Sequence, residues 1–457
     1  MTTVDTAVDE VQGVARSTPA GRLVSMTRDS VKTVIAASMV GTAIEFYDFY
    51  AYGTAAANYF PKVFFGRTGT AALIGSLLTF AVAFVARPVG SLVFGHFGDR
   101  MGRKTTLVVS LLTMGIATFL IGCLPTYDTW GFAAVAVLVL CRFVQGIGLG
   151  GEWSGAALVA TENAPEGRRA LYGSFPELGA PIGFFLSNGT YFLLEMFNDS
   201  NAMLSWGWRV PFLLSAVLVI VGLAARVHME ETPVFRMALA QNKVVKAPLR
   251  EVFRRSWRQV LQATFLVAVT YTLFYTLATW SLAWGTKTKA QGGGDLGFTN
   301  EEYLLMLMVA ICVFALFIVL ACLYADRIGR RRVLIFSSLA LVAFSMVFPY
   351  LLMGEGKHDV VAVMTFLCVG FALMGIAFGP IGAFLPELFA ANVRYSGSGI
   401  GYNLAAIIGA AFVPTVATWL SQHWGVRSVG LYLGVMAVCC LVGVLTCKET
   451  KNTDFLR

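Results

Sequence analysis

Long runs without a single Asp, Glu, Lys or Arg recur along this chain, and no other feature narrows its folding options so far. They cover residues 68–86, 105–127, 259–286, 303–325, 333–354, 360–386, 395–426 and 428–447. A helix rises about 1.5 Å per residue, so about 20 apolar residues cross the roughly 30 Å hydrocarbon core of a bilayer. No water is available there to the backbone, so each crossing segment must satisfy its own hydrogen bonds, as a helix does. A shorter run, 210–225, is extended by Trp206 and Trp208, which suit a lipid interface. Three further apolar stretches, about 33–60, 131–161 and 171–197, are interrupted by charge. Extending the run at 68 to about 95, which brings in Arg87, the pattern predicts twelve membrane helices, six before and six after a polar stretch at 226–258.

Composition agrees. Only 13% of the 457 residues are charged, against about 25% in soluble domains. Hydrophobic residues make up 57%, which a soluble enzyme, a disordered chain or a nucleic-acid binder could not accommodate. The net charge of +8 is one of orientation. Of 34 Lys and Arg, 25 fall in the N-terminus, the C-terminus and alternate loops, 7 fall in the opposite loops, and Arg87 and Arg142 lie within spans. Basic loops stay inside, so both termini are expected in the cytoplasm, with a cytoplasmic tail at 1–30, six-helix halves at 31–228 and 259–448, a cytoplasmic linker at 229–258 and a short tail at 449–457. The eight Cys lie in or beside apolar spans without metal-ligand spacing, and the four His sit at span ends or in loops. No metal and no cofactor is expected.

An internal repeat links the halves. Gly95-His-Phe-Gly-Asp99-Arg100-Met-Gly102-Arg103-Lys104 is echoed 227 residues later by Cys322-Leu-Tyr-Ala-Asp326-Arg327-Ile-Gly329-Arg330-Arg331. Two repeated halves are the expected build of a transporter. On these residues the chain resembles the major facilitator superfamily, whose loop signature is Gly-x-x-x-Asp-Arg-x-Gly-Arg-Arg/Lys. It is similar in particular to the metabolite:proton symporters, which carry α-ketoglutarate, shikimate, citrate, proline and betaine. That narrower resemblance rests on Ile44-Glu45-Phe46-Tyr47-Asp48-Phe49-Tyr50, Arg87-Pro88-Val89-Gly90, Arg142-Phe-Val-Gln145-Gly146, Gly150-Gly151-Glu152-Trp153, Trp206-Gly207-Trp208-Arg209, Glu231-Thr232-Pro233 and Pro386-Glu387-Leu388-Phe389. Two departures stand out: Cys322 replaces the first Gly of the second loop, and Glu177 stands where Gln is usual. The resemblance implies an all-α major facilitator fold, alternating access and a protein of the bacterial inner membrane, working as a monomer.

Charges inside the membrane are the functional candidates, because each costs about 2.5–3.5 kcal/mol near the bilayer centre on insertion scales. The first half holds Glu45, Asp48, Arg87, Arg142, Glu152 and Glu177, and the charge-free runs of the second half hold none. By rise per residue Asp48 falls about 24 Å from the inner edge, and Arg142 about 18 Å from the outer edge and so near the midplane. Four acids face two Arg, so proton handling is expected in the first half: Asp48 first, Glu45 second, with Arg142 and Glu152 in the coupling set. Arg142 also suits a substrate carboxylate, which its planar fork can hold bidentately. Gln145 and Arg87 join it as substrate-binding candidates, while Tyr271, Tyr275, Trp280, Tyr402 and Asn403 complete the site from the second half, packing over a cationic or apolar group. Glu177 is expected to be structural, and Arg87 with Glu152 to be an inner-half ion pair.

The repeated loops read as a cytoplasmic gate formed by Asp99, Arg100 and Arg103 in one half and Asp326, Arg327 and Arg330 in the other. The expected activity is proton-coupled import of a small organic acid or betaine-like zwitterion, with the lipid bilayer and that substrate as partners and no nucleic acid. The alternative is an exporter or antiporter on the same fold, which Gly179-Ala-Pro181-Ile-Gly183 approximates. Hydrolase, zinc-protease and phosphate-loop motifs are missing from the sequence.

Overall fold

The structure is a computed structural model and describes residues 28–101, 103–150, 152–162, 164–227, 252, 254, 256–354, 356–390 and 393–451. Every regular element among them is helical. The helices of seven or more residues are α1 (Arg28–Asn58), α2 (Thr70–Met101), α3 (Arg103–Cys123), α4 (Phe132–Leu149), α5 (Glu152–Glu162), α6 (Arg169–Phe197), α7 (Val210–Val227), α8 (Trp257–Tyr275), α9 (Asn300–Ile328), α10 (Arg330–Leu351), α11 (Val360–Phe378), α12 (Ile381–Glu387), α13 (Arg394–Ala406), α14 (Val413–Trp424) and α15 (Val426–Thr446). Several join into longer rods. Among the described residues nine stretches are long and apolar enough to cross a membrane, and Val108–Cys123 is a shorter apolar helix. α1 and α6 are long enough but carry internal acids, Glu45 and Asp48 in one, Glu177 and Glu195 in the other.

The bundle wears its apolar residues outside as well as inside. Ile220, Phe336, Met346, Leu431 and Val442 are all more than half exposed. A bilayer takes up such a surface, and water does not. Inside, α6 packs between α1 and α9, α2 lies on α4, and α8 lies on α13 and α15. α6 and α1 belong to the first half and α9 to the second, so α6 is a seam between the halves.

The sequence repeat in the loops continues into helix packing. A Cβ on Gly183 of α6 would meet the Ala43 carbonyl of α1, and a Cβ on Gly409 would meet the Ala268 carbonyl of α8. The two glycines stand 226 residues apart and the two alanines 225. Both contacts therefore repeat one geometry, in which only the smallest side chain lets two backbones touch. Gly409 lies in a π turn, Ile407–Ala411, and a second π turn, Thr276–Trp280, interrupts the rod that begins with α8. A π turn inserts extra backbone into a helix and so turns the residues after it. These two flank Tyr271, Tyr275, Tyr402 and Asn403.

The stretch at 449–457, expected as a tail, begins by docking. Glu449 accepts from the backbone N–H groups of Arg330 at 2.9 Å and Arg331 at 3.1 Å, which caps the start of α10 with a carboxylate. Residues 1–27 and most of 229–258 lie outside the described residues.

The close approach yields a stability expectation. Gly409→Val should destabilise by about 1–3 kcal/mol, as overpacking does, and lower the melting temperature in detergent. Gly155→Ala should not, since an added Cβ there meets nothing nearer than Tyr395 at 3.6 Å. Equal melting temperatures for the two variants would remove the packing argument.

Candidate functional site

Four helices of the first half build a buried polar chain. Asp48 (α1), Thr118 (α3), Gln145 and Arg142 (both α4) are all fully buried. Arg142 and Gln145 are three apart and so share a helix face. Gly146 follows them, and a Cβ there would strike the Ala83 carbonyl of α2. That close approach brings Arg142 to α2, where Nη2 donates to the Phe80 carbonyl at 3.0 Å. Its Nη1 donates to Gln145 Oε1, and the Tyr52 ring lies 3.8 Å from the guanidinium carbon, a cation–π contact. Gln145 Nε2 donates to Thr118 Oγ1 at 2.8 Å, and Thr118 Oγ1 lies 2.9 Å from Asp48 Oδ2. Asp48 Oδ1 has no hydrogen-bond partner. Asp48 and Arg142 are thus joined through two neutral side chains and do not touch directly.

A second cluster sits where the halves meet. Arg87 Nη2 pairs with Glu45 Oε1 at 3.5 Å, and Nη1 donates to the Tyr271 hydroxyl of the second half at 3.4 Å. The Phe49 ring lies 4.7 Å from the Arg87 guanidinium carbon and 5.0 Å from that of Arg142, so it separates the two cations. Tyr402 lies against Tyr271 at 5.4 Å and stacks flat on Trp153 of the first half, with ring centroids 3.9 Å apart. Trp153 Nε1 donates to Glu177 Oε1 at 3.2 Å, and Glu177 Oε2 has no partner. Asn403 donates to Ser91 Oγ at 2.8 Å and to the Gly150 carbonyl at 3.2 Å.

Two cavities border this cluster. One is lined by Glu45, Arg87, Trp153, Ser154, Tyr402 and Asn403 among others, and has free space close to that of one water molecule. The other is lined by aromatic and apolar side chains including Tyr50, Tyr271, Phe274 and Tyr275. Arg87, and not Arg142, faces the first cavity. The Arg142 fork, expected to hold a substrate carboxylate, is already committed to Gln145 and the Phe80 carbonyl. Tyr271, Tyr275, Tyr402 and Asn403 gather as expected. Trp280 does not: it is nine residues beyond Tyr271, about 13 Å along a helix axis, where it stacks on Trp284 and donates to Ser421 at 3.3 Å.

Cross-half contacts close both ends. At the end carrying the basic loops, Asp326 accepts from the backbone N–H groups of Ala170 at 2.9 Å and Leu171 at 3.0 Å. These are unpaired donors at the start of α6, where a carboxylate is favoured. Arg330 holds Asp326 from behind at 3.2 Å and reaches Glu387 at 3.4 Å, while Arg327 is exposed. The side chains of Asp99, Arg100, Arg103 and Glu152 lie outside the described residues. At the opposite end, Glu195 of α6 accepts from Tyr59 and from Asn300 Nδ2, the latter at 3.2 Å, and Lys287 Nζ donates to the Asn58 carbonyl at 3.4 Å. Burial pushes the Lys287 ammonium down to about 8, against the pull of Glu195.

Sequence reasoning missed Thr118, Ser91 and Glu195. Nothing marks Thr118 or Ser91, since a hydroxyl within an apolar run more often bonds its own helix backbone. Glu195 was visible as an acid within 171–197, but its partners come from the end of α1 and the start of α9, far away in sequence.

A sequence profile described as Major Facilitator Superfamily matches residues 38–402 and 293–455. The chain is 50% identical to the inner membrane metabolite transport protein YhjE of Escherichia coli over 93% of this chain and 96% of that protein. It is 34% identical to the E. coli shikimate transporter, covering 91% and 94%, and 32% identical to the proline/betaine transporter of Salmonella typhimurium, covering 92% and 84%. Among solved structures it is similar to the proton:xylose symporter XylE, with a TM-score of 0.71, 17% identity and coverage of 93% and 97%.

Two outcomes follow from the closed ends. Asp326→Ala leaves the Ala170 and Leu171 N–H groups without their acceptor, so labelling of cysteines introduced at the basic-loop end should rise several-fold. Lys287 has its ordinary value near 10.5 when exposed and about 8 when buried. The buried state therefore binds fewer protons between those values, and raising the pH from 8 to 10 should favour closure of the opposite end. Electron–electron distances between labels at positions 197 and 301, with the native cysteines replaced, should shorten over that range, and Lys287→Gln should abolish the trend.

Proposed function

The chain belongs to the major facilitator superfamily, and from that premise we propose that it is a proton-coupled symporter importing a small organic acid or zwitterionic metabolite by alternating access. It is a metabolite transporter of multi-pass membrane type and no enzyme; the proton, the direction and the substrate are the proposal. The observation that carries it is the buried chain from Asp48 through Thr118 and Gln145 to Arg142. It places a carboxylate with one unpartnered oxygen in the same network as a permanently charged guanidinium, away from both cavities. A proton arriving at Asp48 changes the net charge of that network by one unit, and in a low-dielectric interior such a change is felt strongly.

Roles divide between the two clusters in this reading. Asp48 takes the proton, Arg142 senses it, and Glu45 and Glu152 are secondary acids. Arg87 receives the substrate carboxylate in exchange for Glu45, while Tyr271, Tyr275 and Tyr402 offer ring faces to an ammonium or apolar portion. Relatives named for shikimate and for proline and betaine support that substrate class, since all three carry a carboxylate. Twelve spans, cytoplasmic termini and a monomeric unit complete the proposal. The glycines of the run suggestive of export, Gly179 and Gly183, lie against α1, which supports a packing role for them.

The test is uptake into proteoliposomes of labelled shikimate, proline, glycine betaine and dicarboxylates under an imposed proton gradient. Uphill accumulation is expected for one of these, and Asp48→Asn should abolish it while energy-independent exchange persists. Undiminished uphill uptake by that variant would sink the assignment of the proton to Asp48. Voltage then separates substrates: a zwitterion with one proton moves charge and gains about 2.3 kcal/mol per 100 mV, whereas a monoanion with one proton moves none.

A further inference from the structure

Thr118 has one hydroxyl hydrogen and two acceptors within reach of it. Its Oγ1 lies 2.9 Å from Asp48 Oδ2 and 3.0 Å from the Met114 carbonyl of its own helix. The third neighbour, Gln145 Nε2 at 2.8 Å, can only donate. That orientation of the Gln145 amide is forced from the other side, because a guanidinium has no acceptor and Arg142 must meet the amide oxygen. Thr118 Oγ1 therefore always accepts from Gln145 and gives its hydrogen either to Asp48 or to Met114.

We propose that Thr118 is the positioning residue that carries the protonation state of Asp48 to Arg142, by handing its single hydrogen to one acceptor or the other. The inference rests on the proton-coupled reading above and adds to it the connecting element. A hydrogen bond to an ionised carboxylate is about twice as strong as one to a neutral acceptor. Ionised Asp48 thus wins the hydrogen. A proton bound at Oδ1, which no other hydrogen bond occupies, leaves Oδ2 a neutral acceptor, and Met114 then competes on equal terms. The lone pairs of Oγ1 turn with the O–H bond, so the Gln145 N–H finds its acceptor moved. Its carbonyl oxygen moves with it, and that oxygen is the Arg142 partner. No bond is made or broken except hydrogen bonds, and the proton stays on Asp48.

The charged and titratable groups facing Asp48 are few. They are Arg142 from α4 and Tyr47 from its own helix, with the hydroxyls of Thr118 from α3 and Ser215 from α7. Thr118 is the one group among these that joins Asp48 to Gln145 by hydrogen bonds. A back-bond to Met114 alone, the ordinary habit of a helical Thr, would leave the Gln145 and Asp48 contacts as coincidences of packing. The two readings differ in what the isosteric Thr118→Val does.

The experiment is a pH titration of the purified protein in lipid, followed by difference infrared spectroscopy of protonated carboxyl groups, on wild type, Asp48→Asn, Thr118→Val and Thr118→Ser. Asp48→Asn should remove one band and so identify it. Thr118→Val should move that band and shift its midpoint to higher pH by about one unit, a tenfold change in proton affinity, because the carboxylate loses a donor. Thr118→Ser, which keeps the hydroxyl, should restore the wild-type band and midpoint. An unchanged band and midpoint in Thr118→Val overturns the proposal while leaving the coupling reading intact. If no band responds to Asp48→Asn, it is the coupling reading that fails. Should Thr118→Val melt too early to titrate, Thr118→Ala takes its place with the same expectation.

Discussion

The cost of holding charge away from water organises this protein. A lipid-facing helix cannot keep an unpaired carboxylate or guanidinium, so every charge at mid-depth must face the interior and find a partner. The described structure obeys this. Glu45, Asp48, Arg87, Arg142 and Glu177 are all buried between helices, and large apolar side chains such as Ile220, Phe336 and Leu431 lie on the outside. The partners are largely neutral. Arg142 is held by an amide, a backbone carbonyl and a ring, Asp48 by a hydroxyl, and Glu177 by an indole N–H. Neutral partners leave charge only partly compensated.

The asymmetry between the halves follows from the same constraint. Both halves repeat the glycine contact between their first and fifth rods, and both carry the acidic loop motif. Only the first half carries charge at mid-depth. The buried charges of the second half among the described residues, Arg330, Glu387 and Arg394, gather at the basic-loop end, where Arg330 pairs with both Glu387 and Asp326, and Asp326 accepts from the start of α6. One half therefore supplies charge to the centre, and the other supplies aromatic rings and a closing contact. Contacts between the halves are present at both ends, and the cavity beside Arg87 has room for about one water molecule.

Charges were legible because the membrane makes them rare. Asp48, Glu45, Arg87 and Arg142 stood out from the residue string alone, and the structure buries all four. Tyr271, Tyr402 and Asn403 were legible as aromatic or polar residues in the right spans. Trp280 was misplaced because a span assignment says nothing of height relative to a site in another helix. The Arg142 fork, available on paper, is occupied in the fold. Thr118 and Ser91 were illegible, since a hydroxyl in an apolar run carries no mark of whether it bonds its own backbone or a neighbour.

The residue string by itself determined that the chain is a membrane protein built from two related halves, which loops are basic, and which charges interrupt its apolar spans. These depend on composition and on spacing along one helix, and both are local quantities. The tertiary structure alone decided which charges meet. Asp48 and Arg142 are 94 positions apart, and their connection runs through Thr118 on a third helix. Helix packing sets such contacts, through glycines that admit a neighbouring backbone at one height and nowhere else.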